Sequence, residues 1–215
     1  MTQLLRIDSS SRFSGSHTRQ LADYFQTSWL AKQPQDRVVV RDVIKNPLPH
    51  LSDLAIAGFY TPEEQQTPAM QEAVALSDEL IAELQSAEVL LLSAPMYNFS
   101  VPSALKAWID QIVRIGKTFS YDGTNFAGLV KVKSAYIICT YGSSGYVDGG
   151  GFASMNFVEP YLQSLLGFLG IEQIQFFHLQ GTTADPATVA ANTQAVQQAI
   201  DKSISMALSE MRSAI

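Results

Sequence analysis

Apolar residues along the chain follow two rhythms. Short runs, apolar at successive or alternating positions, cover Gln3 to Asp8, Arg37 to Arg41, Glu88 to Ser93, Ser134 to Cys139 and Ile171 to Leu179, and these predict strands. Val89 to Leu92 is apolar at every position, as a strand covered on both faces requires. In the last run Ile171, Ile174 and Phe176 are interleaved with Glu172, Gln173 and Gln175, which predicts an edge strand. Between the runs the spacing lengthens to helical stripes: Leu21, Phe25 and Trp29; Met70, Val74, Leu80, Ile81 and Leu84; Leu105, Trp108, Ile109, Ile112 and Val113. Pro160 can open a fourth helix carrying Tyr161, Leu162, Leu165 and Leu169, with Gly170 as its stop, and Ala187 to Met211 makes a fifth.

Strands in strict alternation with helices predict an α/β domain, because parallel neighbours need a crossover between them. A flavodoxin-like, doubly wound, five-stranded parallel sheet with helices on both faces fits this count best. Two insertions interrupt the alternation. The first, Val43 to Pro68, holds four prolines and apolar residues such as Leu51, Leu54, Ile56, Phe59 and Tyr60, and reads as a functional loop or lid with a surface suited to an interface. The second, Thr118 to Gly128, reads as a small hairpin about an Asp122-Gly123 turn. The whole chain, 1–215, reads as one domain.

Composition narrows the chemistry. Fourteen Lys and Arg against twenty Asp and Glu give a net charge of -6, the wrong sign for a protein that neutralises nucleic acid phosphates. One cysteine, Cys139, excludes an internal disulfide and a cysteine-rich zinc site, and three scattered histidines do not supply metal ligands. The start of the chain has no basic segment leading into a long apolar run, and no stretch reaches about 18 uninterrupted apolar residues. The expectation is therefore a cytoplasmic protein that neither spans a membrane nor binds a metal.

In an open parallel sheet, ligands bind beyond the carboxyl ends of the strands, where the winding reverses. Three loops leave those ends with unusual composition. The first, SSSRFSGSHT (9–18), has six Ser or Thr among its ten residues and runs into a helix. Hydroxyls, Gly15 and the open amides of a helix start are what a phosphate requires, although Ser16 or Thr18 alone would serve as a helix cap. The second, APMYNFSVP, sets Met96, Tyr97, Asn98 and Phe99 between prolines, which suits either a flat heteroaromatic ring or a turn packed on the core. The third, TYGSSGYVDGGG, is rich in glycine, which lets backbone amides approach a ligand.

Several catalytic machines are absent. The chain lacks GxxxxGK[ST], lacks GxGxxG after its first strand, and has no GxSxG elbow with a credible triad. Cys139 has Gly145 where a Cys-x5-Arg phosphatase needs arginine, so it reads as a buried core thiol.

The segments SSSRFSGSHTRQLADYF, LSDELIAEL, APMYNF, LKAWID and GKTFSYD together resemble the FMN-dependent NADH azoreductases, a family that also reduces quinones, and the resemblance spans essentially the whole chain. It implies that Ser10, Ser16, His17 and Thr18 hold the FMN phosphate. Met96, Tyr97, Asn98 and Phe99 match the family's isoalloxazine loop, and Thr140, Tyr141, Gly142 and Ser143 match its third flavin-binding loop. There the family commonly has Ser-Arg-Gly-Gly, so this chain lacks the arginine and the second glycine. Phe119 and Tyr121 fall where the family has aromatic residues beside the flavin, and Phe59 and Tyr60 join them as candidate substrate contacts. The implied protein is a homodimer that passes electrons from NADH or NADPH, through FMN, to azo compounds or quinones, with no side chain required as a covalent catalyst. The rival readings are a flavodoxin-like electron carrier and an FMN-binding regulatory protein.

Overall fold

A computed structural model describes residues 2–213. Five parallel strands, β1 (Gln3–Asp8), β2 (Arg37–Asp42), β3 (Val89–Pro95), β6 (Ser134–Thr140) and β7 (Gln173–Leu179), form one sheet in the order β2-β1-β3-β6-β7. All four pairings are parallel and in continuous register, from Gln3 against Arg37 on one side to Thr140 against Leu179 on the other. Central β3 is buried at every residue, whereas β7, with Gln173 and Gln175 exposed, is an edge, as its interleaved polar residues predict.

The sheet separates two apolar layers because alternate residues of each strand point to opposite faces. Leu4, Val89, Leu91, Tyr136 and Ile138 meet Leu21, Phe25 and Trp29 of α1 (His17–Lys32) and Val196, Ile200 and Ile204 of α6 (Pro186–Ser213). Leu5, Ile7, Leu90, Leu92 and Ile137 face the other way, onto α3 (Pro68–Ser86), α4 (Ser103–Ile112) and α5 (Glu159–Phe168). Cys139 belongs to this second layer and is fully buried, which pushes its thiol up to about 12. Gly170 sits in the left-handed region, φ +98°, just past α5, which makes it the stop that its sequence position suggests.

The second insertion is the expected hairpin, β4 (Phe119–Tyr121) against β5 (Phe126–Gly128), with Gly123 at φ +98° in its turn. The first insertion differs from a plain loop. It contains a helix, α2 (Asp53–Tyr60), whose N-cap Ser52 accepts from the Ala55 amide, followed by a 3-10 turn at Glu63–Gln65. Its buried stripe is only Ala55 and Gly58. Gly58 lies so close to α3 that a β-carbon there would meet Val74 Cγ1 at 2.6 Å. Two small residues make a tight helix contact but no readable apolar period, and the helix was therefore hidden among four prolines.

Candidate functional site

The chain winds from β1 outward to β2 and then returns across β1 to β3, so the carboxyl ends of β1 and β3 border the switch point. The loops that leave these two ends are held in different ways.

Residues 9–16 after β1 close into a ring through side chains. Ser16 Oγ donates to Ser10 Oγ at 2.9 Å and shares a 3.2 Å hydrogen bond with Thr18 Oγ1. Ser10, Ser16 and Thr18 are all buried, Thr18 to 1% exposure, so three hydroxyls converge out of bulk water. Ser16 is also the N-cap of α1 and accepts from the Arg19 amide at 3.4 Å. The first amides of a helix have no acceptor within it. Those of His17 and Thr18 find none among the described residues and add to the positive end of the helix. Gly15, at φ +67°, supplies the left-handed step that brings Ser16 back to Ser10. Convergent hydroxyls, open amides and the helix start fit a phosphate monoester. Capping, the plainer reading of this serine, is therefore present but accounts for only one of the contacts.

Residues 96–101 after β3 are held by their own backbone. Tyr97 and Ser100 exchange two amide hydrogen bonds, at 3.0 and 3.1 Å, across a tight turn in which Asn98 and Phe99 adopt φ +48° and +70°. Two successive residues with positive φ are the signature of a turn that favours Asn-Gly, so phenylalanine in the second place is strained. The Tyr97 hydroxyl accepts from the Ser11 amide at 3.2 Å, which joins the two loops. Met96 N–H reaches Thr140 O at 3.0 Å, and Phe157 N–H reaches Phe99 O at 3.0 Å, which ties the turn to the third loop and to the start of α5. A cavity of 740 Å³ opens beside the turn, walled by Tyr97, Asn98, Phe157 and Tyr161, with Lys106 at its edge.

In the third loop, Gly142 and Ser143 are exposed, whereas Thr140 and Tyr141 are buried. The Tyr141 ring is fully enclosed, stacked on Tyr146 at 5.6 Å, and its amide and carbonyl are taken by Leu179 and Thr182. Burial raises the Tyr141 phenol far above its ordinary value. Tyr141 therefore shapes this loop from inside the core.

The candidate substrate aromatics lie elsewhere. Phe119 packs on Phe168 at 4.8 Å, and a β-carbon on Gly128 would meet the backbone of Leu169 and Gly170 at 2.2 Å. These contacts seat the hairpin where α5 ends and β7 begins, the amino edge of the sheet. Seven-residue strands put that edge roughly 20 Å from the switch point. Phe59 and Tyr60 line a separate cavity of 880 Å³, where the Arg114 guanidinium lies 4.5 Å over the Phe59 ring and bonds Asp78 at 2.7 Å. One chain thus assembles the first two loops and does not bring Phe59, Tyr60, Phe119 or Tyr121 to them.

The sequence reading missed Arg19. Its guanidinium holds Asp42 through two bonds, at 2.6 and 3.1 Å, and lies 3.6 Å from Asp8, which is itself paired with Arg6 at 2.9 Å. Asp42 shows the balance of forces. Burial drives its carboxyl up, but the Arg19 guanidinium and the amides of Lys45 and Ile44 outweigh burial and hold it below its ordinary value. Among the described residues no group of three His, Cys, Asp or Glu could hold a metal, and no helix is long and apolar enough to cross a membrane.

The profile of the flavodoxin-like fold family matches residues 2–204. The chain is 50% identical over 175 residues to the FMN-dependent NADH:quinone oxidoreductase of Xanthobacter autotrophicus, covering 81% of this chain and 84% of the relative. It is 40% identical over 200 residues to the enzyme of the same name from Hydrogenovibrio crunogenus, covering 93% and 98%. Among solved structures, an azoreductase from Bacillus anthracis superposes with a TM-score of 0.86 at 24% identity, over 95% of this chain and 99% of that one. An FMN-dependent NADH-azoreductase from the same organism, in complex with FMN, gives 0.83 at 22%, over 96% and 99%.

Proposed function

The chain belongs to the flavodoxin-like fold family and, within it, to the FMN-dependent NADH:quinone oxidoreductases, and from that membership we propose a two-electron, ping-pong reductase of quinones and azo compounds. The observation that carries this reading is the meeting of a buried hydroxyl cluster at a helix start and a strained turn at one switch point. Ser10, Ser16 and Thr18 would donate to the FMN phosphate, together with the open amides of His17 and Thr18. Residues 96–99 would address the polar edge of the ring with the backbone groups that the turn leaves free, the Asn98 and Phe99 amides among them, and the Asn98 side-chain amide would add a donor or acceptor. Gly142 and Ser143 are the exposed part of the third loop and would approach the ring from the other side. Bound FMN would supply the two-electron redox chemistry.

The kinetic order follows from space. Hydride transfer needs the nicotinamide about 3 to 3.5 Å from the ring it reduces, which leaves no place for the acceptor. NADH and the acceptor therefore take turns.

A homodimer is part of the proposal. Phe119 and Tyr121 stand at the far edge of their own sheet, so a place beside the flavin requires a second copy. Leu54, Ile56 and Tyr60, the last 77% exposed, give α2 an apolar surface suited to that contact.

Initial rates with FMN-loaded protein, NADH and a benzoquinone test the reading. Parallel double-reciprocal lines are expected. Convergent lines would overturn the shared site, and the absence of FMN-dependent NADH oxidation would favour a flavin carrier.

A further inference from the structure

We propose that Arg19 is a positioning residue that sets the phosphate loop from below, an inference resting on the reading of residues 9–18 as the FMN phosphate site. The guanidinium grips the loop near its start. Arg19 Nη2 donates to the Ser10 carbonyl at 2.8 Å and Nε to the same oxygen at 3.3 Å. Its face meets the Phe13 ring at 5.1 Å from the centroid, so the middle of the loop rests on the same group. Ser16, the third fixed point, is three residues before Arg19 and accepts its amide.

The other half of the fork is committed to Asp42, the last residue of β2, whose Oδ1 also accepts from the amides of Ile44 and Lys45. Arg19 thus joins the loop after β1 to the first turn after β2. Two facts argue that its role is geometric. Its charge is already balanced by Asp42 and Asp8, and the planar guanidinium alone can serve a carboxylate in bidentate fashion while bonding a carbonyl. The hydroxyl of Ser10 is aimed by its backbone, and that backbone is held by Arg19. Release of the Ser10 carbonyl would let Ser10 leave Ser16, and the hydroxyl cluster would open.

The consequence is specific to phosphate. Riboflavin carries the same ring as FMN without the phosphate, so a loosened phosphate loop should weaken FMN and spare riboflavin. The test titrates apo-protein with both flavins, by fluorescence, for the wild type, Arg19→Gln and Arg19→Lys. The wild type should prefer FMN to riboflavin. Arg19→Gln should lose at least tenfold of that preference, with riboflavin affinity changed by less than twofold. Arg19→Lys keeps the charge and is the milder change for folding, yet should lose most of the same preference, because an ammonium cannot fork. An unchanged preference in both variants would overturn the proposal. So would equal weakening of both flavins, which would mark Arg19 as merely structural, and so would full retention in Arg19→Lys, which would make charge sufficient. A wild type that binds the two flavins equally would overturn the phosphate assignment itself, a failure visible before any variant is made.

Discussion

The loops after β1 and β3 leave adjacent strands at the same edge of the sheet, yet one is closed by side chains and the other by backbone. In the first, Ser10, Ser16 and Thr18 exchange hydroxyl hydrogen bonds above the Arg19–Asp42 pair. In the second, Tyr97 and Ser100 close a turn with amides and carbonyls, and Asn98 and Phe99 carry positive φ. The difference matches what the proposal gives each loop to meet. A phosphate presents oxygens in several directions and is served by rotatable hydroxyls. A ring edge has fixed positions and is served by backbone groups that cannot rotate away. The first loop should therefore be fragile to side-chain truncation, and the second to changes in backbone preference.

The largest expected effect is in the first loop. Ser16→Ala with Thr18→Ala removes two hydrogen bonds to a charged group, about 1.5 to 3 kcal/mol each before compensation. FMN affinity should fall by roughly two orders of magnitude or more, while the absorbance spectrum of flavin that still binds is unchanged. The loss of the Ser16 cap should also cost about 1 kcal/mol of folding stability, seen by denaturant titration. Equal FMN affinity in the double variant would erase the contrast between the loops.

The second loop should respond in the opposite sense. Phe99→Gly relieves a left-handed conformation that costs an L-residue about 1 to 2 kcal/mol, against a smaller loss from the freer unfolded chain. A net gain of roughly 1 kcal/mol in stability is expected, with a shifted flavin spectrum, because the turn at the ring edge relaxes. A destabilised Phe99→Gly would mean that the Phe99 side chain, rather than the backbone, carries the turn.

How far each region could be read in the sequence follows the same division. The hydroxyl cluster was legible because its donors are neighbours in the chain, and the central strand β3 was legible because burial on both faces leaves an unbroken apolar run at Val89 to Leu92. The Asp122-Gly123 hairpin announced itself by turn chemistry. Arg19 did not, since it lies on α1 and its partner Asp42, 23 positions away, ends a strand that comes beside β1 only in the fold. The strain at Phe99 was also invisible, because asparagine followed by phenylalanine does not advertise a left-handed pair. Helix α2 escaped because its packing stripe is one alanine and one glycine, too small to give a periodic signal. That Phe119 and Tyr121 sit at the opposite edge from the loops depends on where Gly128 docks against Leu169, a long-range contact that residue spacing does not encode.

The smallest effect separates the loops by acid. The Asp42 carboxyl is held below its ordinary 3.8 in the fold, so its contribution to stability is complete above that value and is lost as pH falls through the lower folded one. Asp42→Asn should therefore melt below the wild type at neutral pH, and the gap should close as pH drops under about 4. The second loop has no such carboxylate, and the stability difference between Phe99→Gly and the wild type should stay constant over the same range. A gap for Asp42→Asn that does not change with pH would remove the ion pair from the account.

The division of labour between the two loops is tested most directly by the crystal structure of the FMN complex. The account predicts phosphate oxygens about 2.6 to 3.0 Å from the hydroxyls of Ser10, Ser16 and Thr18, with the polar edge of the ring against the backbone of residues 96–99. Flavin bound in the cavity beside Phe59 and Arg114, or bound with its phosphate away from the start of α1, would contradict it.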